Sequence, residues 1–213
     1  MHAGFPCFTQ DIQQVMKLGA GDSEVPELVD SLGGPVLANA VALLLKLGFG
    51  YIMRDCVLDQ QRSEKALAFF DENFIFRDPN APNGQRYYQG KFLIRTRKAG
   101  DNMNVWLRFC PQPDELFSDT PFGRTINSLK VVATDVIDEG KANEIENDPN
   151  QVDLVIRFKD IDAILGLIGR DNVDIVGLLL ENLVQLTGNV GHLFKLGAIA
   201  KNIELELGLV KAS

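Results

Sequence analysis

The spacing of apolar positions changes period twice along the chain, which divides it into helices, a run of strands, and helices again. At the start, Phe8, Ile12, Val15, Met16 and Leu18 recur at helical spacing. The breakers Gly19 and Gly21 follow, then an acidic stretch through Glu24, Glu27 and Asp30, so residues 1–33 predict a short amphipathic helix and a linker. Pro35 to Met53, PVLANAVALLLKLGFGYIM, is the most apolar segment of the chain, and Pro35 suits a first helical turn. Being apolar all round, it reads as a buried helix. Its 19 residues also raise the question of a membrane. Lys46 near the centre costs about 2.5–3.5 kcal/mol, against about 0.3–0.6 kcal/mol gained per Leu, Val or Phe, so insertion is marginal. Contact with a membrane surface or a partner's groove stays open beside burial. Residues 57–73 predict a second helix that grades from Lys65 to Ala66, Phe69 and Phe70.

From Phe74 the period falls to 2. Strands are expected at Phe74–Asp78, Tyr87–Arg97, Met103–Phe109, Leu129–Ile137 and Val152–Phe158, and the segment Pro111–Pro121 reads as a loop or short helix. Phe92, Ile94 and Thr96 share one face while Arg95 and Arg97 take the other, and Val152, Leu154, Ile156 and Phe158 oppose Asp153 and Arg157. Such alternation predicts an antiparallel sheet with one packed and one wet face. The helical segments Lys159–Arg170, Asp174–Asn182 and Asn189–Leu207 supply the cover. The expected fold class is α+β: a mainly antiparallel five-stranded sheet covered on one face by helices, with residues 1–56 as a helical extension and 57–213 as the main domain.

Composition narrows the classes of function. With 213 residues, 46% hydrophobic content and a net charge of −8, the chain is neither a disordered tail nor a binder of nucleic acid by bulk charge. Cys7, Cys56 and Cys110 are odd in number and widely spaced, which fits a reducing compartment and neither a disulfide framework nor a zinc site. The first residues lack the pattern of a secretory signal, so a cytoplasmic location is expected. Candidate catalytic groups are few. His2 and His192 are the two histidines, and no nucleophile elbow or phosphate-binding glycine motif is present. The stretch Glu144–Asp153 lacks calcium-loop spacing and reads as a solvated acidic loop. Lys91, Arg95, Arg97, Arg108 and Arg157 on the strands suit either a solvated face with carboxylate partners or the capture of a phosphate or anionic head group. No cofactor, metal or enzymatic activity is expected.

The last third of the chain holds more Leu, Ile and Val than cover for a small sheet requires. These residues make either a filled core or the wall of a cavity. Leu178–Ala200, LLLENLVQLTGNVGHLFKLGAIA, resembles the C-terminal signature of the sterol carrier protein 2 family: a strand at Leu183–Thr187, a turn at Gly188 and Asn189, and a helix carrying Lys195 and Leu196. The preceding VDLVIRFKDIDAILGLIGR is similar to that family's strand followed by an aspartate-started helix and a glycine, here Asp160 or Asp162 and Gly169. The resemblance implies an apolar tunnel between sheet and helices that binds fatty acyl chains, sterols or isoprenoids without catalysis. It nominates Phe92, Ile94, Trp106 and Ile156 on the sheet as the cavity wall. From the C-terminal elements it nominates Leu165, Ile168, Leu179, Leu180, Leu186, Val190, Phe194 and Ile199. The partners implied are a lipid or other hydrophobic small molecule, a peripheral membrane, and a partner protein or second copy of the chain. An accessory role in lipid or quinone biosynthesis, docking through residues 35–53, is the alternative.

Overall fold

Where the sequence alternates, the chain builds a five-stranded sheet. The computed structural model describes residues 25–52, 60–81, 84–120, 123–165 and 175–206. The helix expected near Phe8–Leu18, with His2, Cys7, Cys56, Ile168 and Gly169, lies outside them. The elements begin with helices α1 (Val25–Ile52) and α2 (Gln60–Phe74) and a ribbon of β1 (Ile75–Arg77) and β2 (Gln85–Tyr87). Strands β3 (Lys91–Thr96) and β4 (Asn104–Phe109) follow, then a second ribbon, β5 (Phe117–Thr120) with β6 (Gly123–Ile126). The helical turn α3 (Ser128–Val131), strand β7 (Val132–Val136) and helix α4 (Glu139–Glu146) lead to β8 (Leu154–Phe158). The described chain ends with α5 (Ile161–Leu165), α6 (Ile175–Leu180), β9 (Val184–Gly188) and α7 (Gly191–Glu206).

The sheet is mixed, which corrects the mainly antiparallel expectation. β3–β4, β4–β7 and β8–β9 are antiparallel, but β8 pairs with β3 in parallel. Connectivity explains it. β4 occupies one side of β3 and β7 lies outside β4, so β8 can reach β3 only on its other side. The connection through α4 carries the chain back across the sheet, which sets β8 in the same direction as β3.

The expected packed face is mainly apolar. Phe92 and Ile94 of β3 meet Leu107 and Val105 of β4 across one ladder, and Leu154 and Ile156 of β8 across the other. These six residues are buried in a single core with Phe69, Phe70 and Phe74 of α2 and Ile199 of α7. Residues 35–52 join the same core. Leu37, Ala38, Ala42 and Phe49 of α1 are buried there, and the Thr134 hydroxyl of β7 donates to the Ala42 carbonyl at 3.1 Å. Among the described residues no helix is long and apolar enough to cross a membrane.

The second face is not bare, which corrects the expectation of helices on one face alone. α4 lies on it, and its Ala142 and Ile145 pack with Leu93, Val155 and Val152, the last of which precedes β8 and so does not share the packed face with Leu154 as its alternation predicted. The Asp138 carboxylate caps α4 by accepting from the Lys141 amide at 2.8 Å.

α1 changes direction at Gly33, whose φ of 68° is in the left-handed region, so that Pro35 begins the apolar part of the helix. Gly34 is pressed against the turn between β3 and β4, where an added Cβ would overlap the Asp101 carbonyl. Gly34→Ala is therefore expected to destabilise the fold by about 1–3 kcal/mol as α1 lifts from that turn. A urea midpoint indistinguishable from wild type would show that α1 does not dock there.

Candidate functional site

The nominated wall residues divide into four groups. Phe92, Ile94, Ile156 and Ile199 are buried together in the main core, with Leu165 and Leu186 half-buried against it. Leu179, Leu180, Val190 and Phe194 are exposed, Leu180 by 83% and Phe194 by 73%. Trp106 lies on the opposite face, which corrects its nomination. The register pairs it with Leu93, so it points toward α4, where its indole donates to the Gln151 carbonyl at 3.1 Å. Ile168 lies outside the described residues.

The strands, α1, α2 and α7 build an aromatic cluster around Phe109. The Phe49 ring meets it edge-on at 5.2 Å, Phe74 lies at 5.5 Å, Tyr88 at 5.7 Å and Phe92 at 6.0 Å. Phe109 sits there because it is in phase with Val105 and Leu107 on β4, the buried parity of that strand.

α7 reaches this cluster through polar contacts as well as apolar ones. A hydrogen bond of 2.9 Å joins the Tyr88 hydroxyl to Nδ1 of His192, and the two rings stack at 5.7 Å. Further along the helix the Asn202 amide donates at 3.0 Å to Oδ1 of Asn73, a buried side chain whose own amide donates to the Phe69 carbonyl. Between these points Leu193, Leu196, Ile199 and Ala200 pack on the core. Burial, helped by the charge of Asp153, pushes the Tyr88 phenol well above its ordinary range, so it stays neutral. Lys195 lies 5.6 Å from the Phe76 ring and 5.9 Å from that of Tyr88, and burial lowers its ammonium pKa. Tyr88, Phe109, Asn73 and Asn202 were not singled out from the sequence. Strand parity marks Phe109, but no sequence signal pairs Asn73 with a residue 129 positions away.

The opposite face is charged and ordered. Arg95 and Arg157 are neighbours across the parallel ladder. Arg95 binds Glu139 and Glu146, and Arg157 binds Glu146 and the Thr187 hydroxyl. Glu146 is thus the last residue of α4 and an ion-pair partner, which corrects its reading as part of a solvated loop. Beyond it, Asp148 does organise an exposed turn. Its carboxyl is held below the usual range by hydrogen bonds from the Gln151 side chain and the Asn150 amide. Arg108 pairs with Asp135 and lies 3.9 Å over the Trp106 ring. Lys91 donates through Nζ to the Asn150 carbonyl at 2.7 Å.

Cys110 is fully buried, and burial pushes its thiol up to about 12, so at neutral pH it is a packed thiol and a poor nucleophile. Among the described residues no three His, Cys, Asp or Glu side chains are grouped to hold a metal. Compared with known protein families, with curated proteins and with solved structures, the chain matches none.

Proposed function

We propose that this chain is a non-enzymatic carrier that takes a fatty acyl, sterol-like or isoprenoid lipid between its sheet and α7. The observation that carries the reading is how α7 is held. Each end of its contact with the core has a polar pair, Tyr88 with His192 and Asn73 with Asn202. Water can replace both pairs at small net cost. The remaining apolar contacts, centred on Ile199, are of a kind that a lipid chain can replace on the same surface, at about 0.8 kcal/mol per buried CH₂. The resemblance of Leu178–Ala200 to the sterol carrier protein 2 signature supports the same reading, because that stretch includes β9 and the start of α7.

Phe194 supplies the test. It is exposed, so Phe194→Asp leaves the ligand-free fold intact. If α7 turns as it closes, so that Phe194 packs on the lipid, this variant loses affinity for a fluorescent fatty acid by about tenfold or more, since a carboxylate must then be desolvated at the site. Unchanged affinity with an unchanged far-ultraviolet spectrum removes Phe194, and with it this closure of α7, from the site.

A second reading rests on α1, where Val36 and Leu43 are exposed at a spacing of two helical turns on a helix whose Leu37, Ala38, Ala42 and Phe49 are built into the core. They fit an accessory module that docks a partner enzyme or membrane. Deleting residues 1–56 would not separate the two readings, because it removes Leu37, Ala38, Ala42 and Phe49 from the core. Val36→Asp with Leu43→Asp does. A carrier keeps its fatty acid affinity in that double variant, and a docking module loses its association.

A further inference from the structure

On the sheet face away from α7, three arginines stand in one patch. The parallel pairing of β3 with β8 sets Arg95 beside Arg157, and Arg97 follows Arg95 on the same face at the end of β3. Like charges opposite one another on a ladder repel. α4 compensates part of this with Glu139 and Glu146, which between them bind Arg95 and Arg157. Arg97 receives no such carboxylate among the described residues. Its two terminal nitrogens donate to the side chain and carbonyl of Asn182, and its Nε is buried with no hydrogen-bond partner. Lys98 comes next, largely exposed, with its ammonium 4.0 Å from Asp101. Arg95, Arg97, Lys98, Arg157, Glu139 and Glu146 line a cavity of about 410 Å³.

Four cations and two carboxylates therefore face one cavity, in a chain whose net charge is −8. The positive surplus is local, and it coincides with an unused donor. We propose that this cavity is a binding site for a phosphate monoester, with Arg97 and Lys98 as the recognising groups and the Arg95–Glu146–Arg157 network as its fixed floor. Asp101 offsets part of the charge of Lys98, so the surplus is below two full charges, and the preference for phosphate rests on shape: a phosphate monoester has three terminal oxygens to share between a guanidinium and an ammonium, where a carboxylate has two. The volume exceeds that of phosphate itself and leaves room for an organic group, within the usual range of small-ligand sites. The site lies on the other face of the sheet from α7 and does not depend on the lipid-carrier reading.

The test is a titration of the full chain with inorganic phosphate, at an ionic strength held constant with chloride, followed by amide NMR shifts. Saturable shifts at Arg97, Lys98 and Gly100 are expected, with affinity about tenfold weaker in Arg97→Met and in Lys98→Met, the loss of one charge-assisted contact each. Lys98→Met removes an exposed side chain and keeps the result readable if Arg97→Met perturbs the Asn182 turn. Lys46→Met on α1 should change nothing. Co-sedimentation with phosphatidylcholine vesicles, with and without phosphatidic acid, identifies the source of the phosphate. Phosphatidic-acid-dependent sedimentation that Lys98→Met abolishes assigns a lipid head group, and saturation by phosphate without sedimentation assigns a soluble ester. Absence of both responses, or shifts that persist at full strength in both methionine variants, overturns the site.

Discussion

Replacing Phe109 by alanine is expected to cost about 3–5 kcal/mol, the range for removing a buried aromatic ring. The ring is fully buried and in contact with aromatic side chains of α1, α2 and β3 and with Tyr88, so no single neighbour can move in to fill the space. The loss should appear as a lower denaturation midpoint with an unchanged slope in urea. A cost below about 1 kcal/mol would mean that the cluster repacks freely and that α1 and α2 are not fixed to the sheet through it. Phe109 meets Tyr88 and Phe92, which both touch His192 of α7, so under the proposed carrier function the same variant should also enlarge the space available to an acyl chain.

Glu146→Ala is expected to cost about 2–4 kcal/mol by a different mechanism. Among the described residues Glu146 is the one carboxylate that binds both Arg95 and Arg157. Without it two guanidinium groups remain side by side on the parallel ladder, one of them with a side chain only 8% exposed. Arg157 is already affected in the wild-type protein, where burial and then the charge of Arg95 lower its pKa. Glu139 continues to bind Arg95, which keeps the cost below that of a wholly uncompensated charge. Adding Arg95→Met to Glu146→Ala should recover part of the loss, since the repulsion goes with the second charge. Strictly additive losses in that cycle would show that the network does not couple α4 to the sheet.

The sequence is informative where its own geometry decides the outcome. Pro35 marks the start of the apolar part of α1, and the parity of Phe92, Ile94, Arg95 and Arg97 correctly divides β3 between its two faces. Val105, Leu107 and Phe109 share a parity that excludes Trp106, so its placement on the opposite face is legible in the alternation of β4. The parallel β3–β8 pairing was not legible, because alternation has no direction and the crossover through α4 sets it. The β5–β6 ribbon was missed because Ser118, Asp119, Thr120, Arg124 and Thr125 make polar strands inside a segment punctuated by proline. The role of Glu146 also lay beyond the sequence. Its partners are 51 and 11 residues away, and only the fold brings them to α4.

Whether the sheet face under α7 holds a lipid is read from native mass spectrometry of the purified chain, followed by solvent extraction and lipid analysis of what it carries. A carrier holds a stoichiometric lipid in the wild-type protein, retains it in Val36→Asp with Leu43→Asp and loses it in Phe194→Asp. A chain that is empty as purified and also fails to take up fluorescent fatty acids would contradict the carrier reading, and the apolar face would then be a filled core.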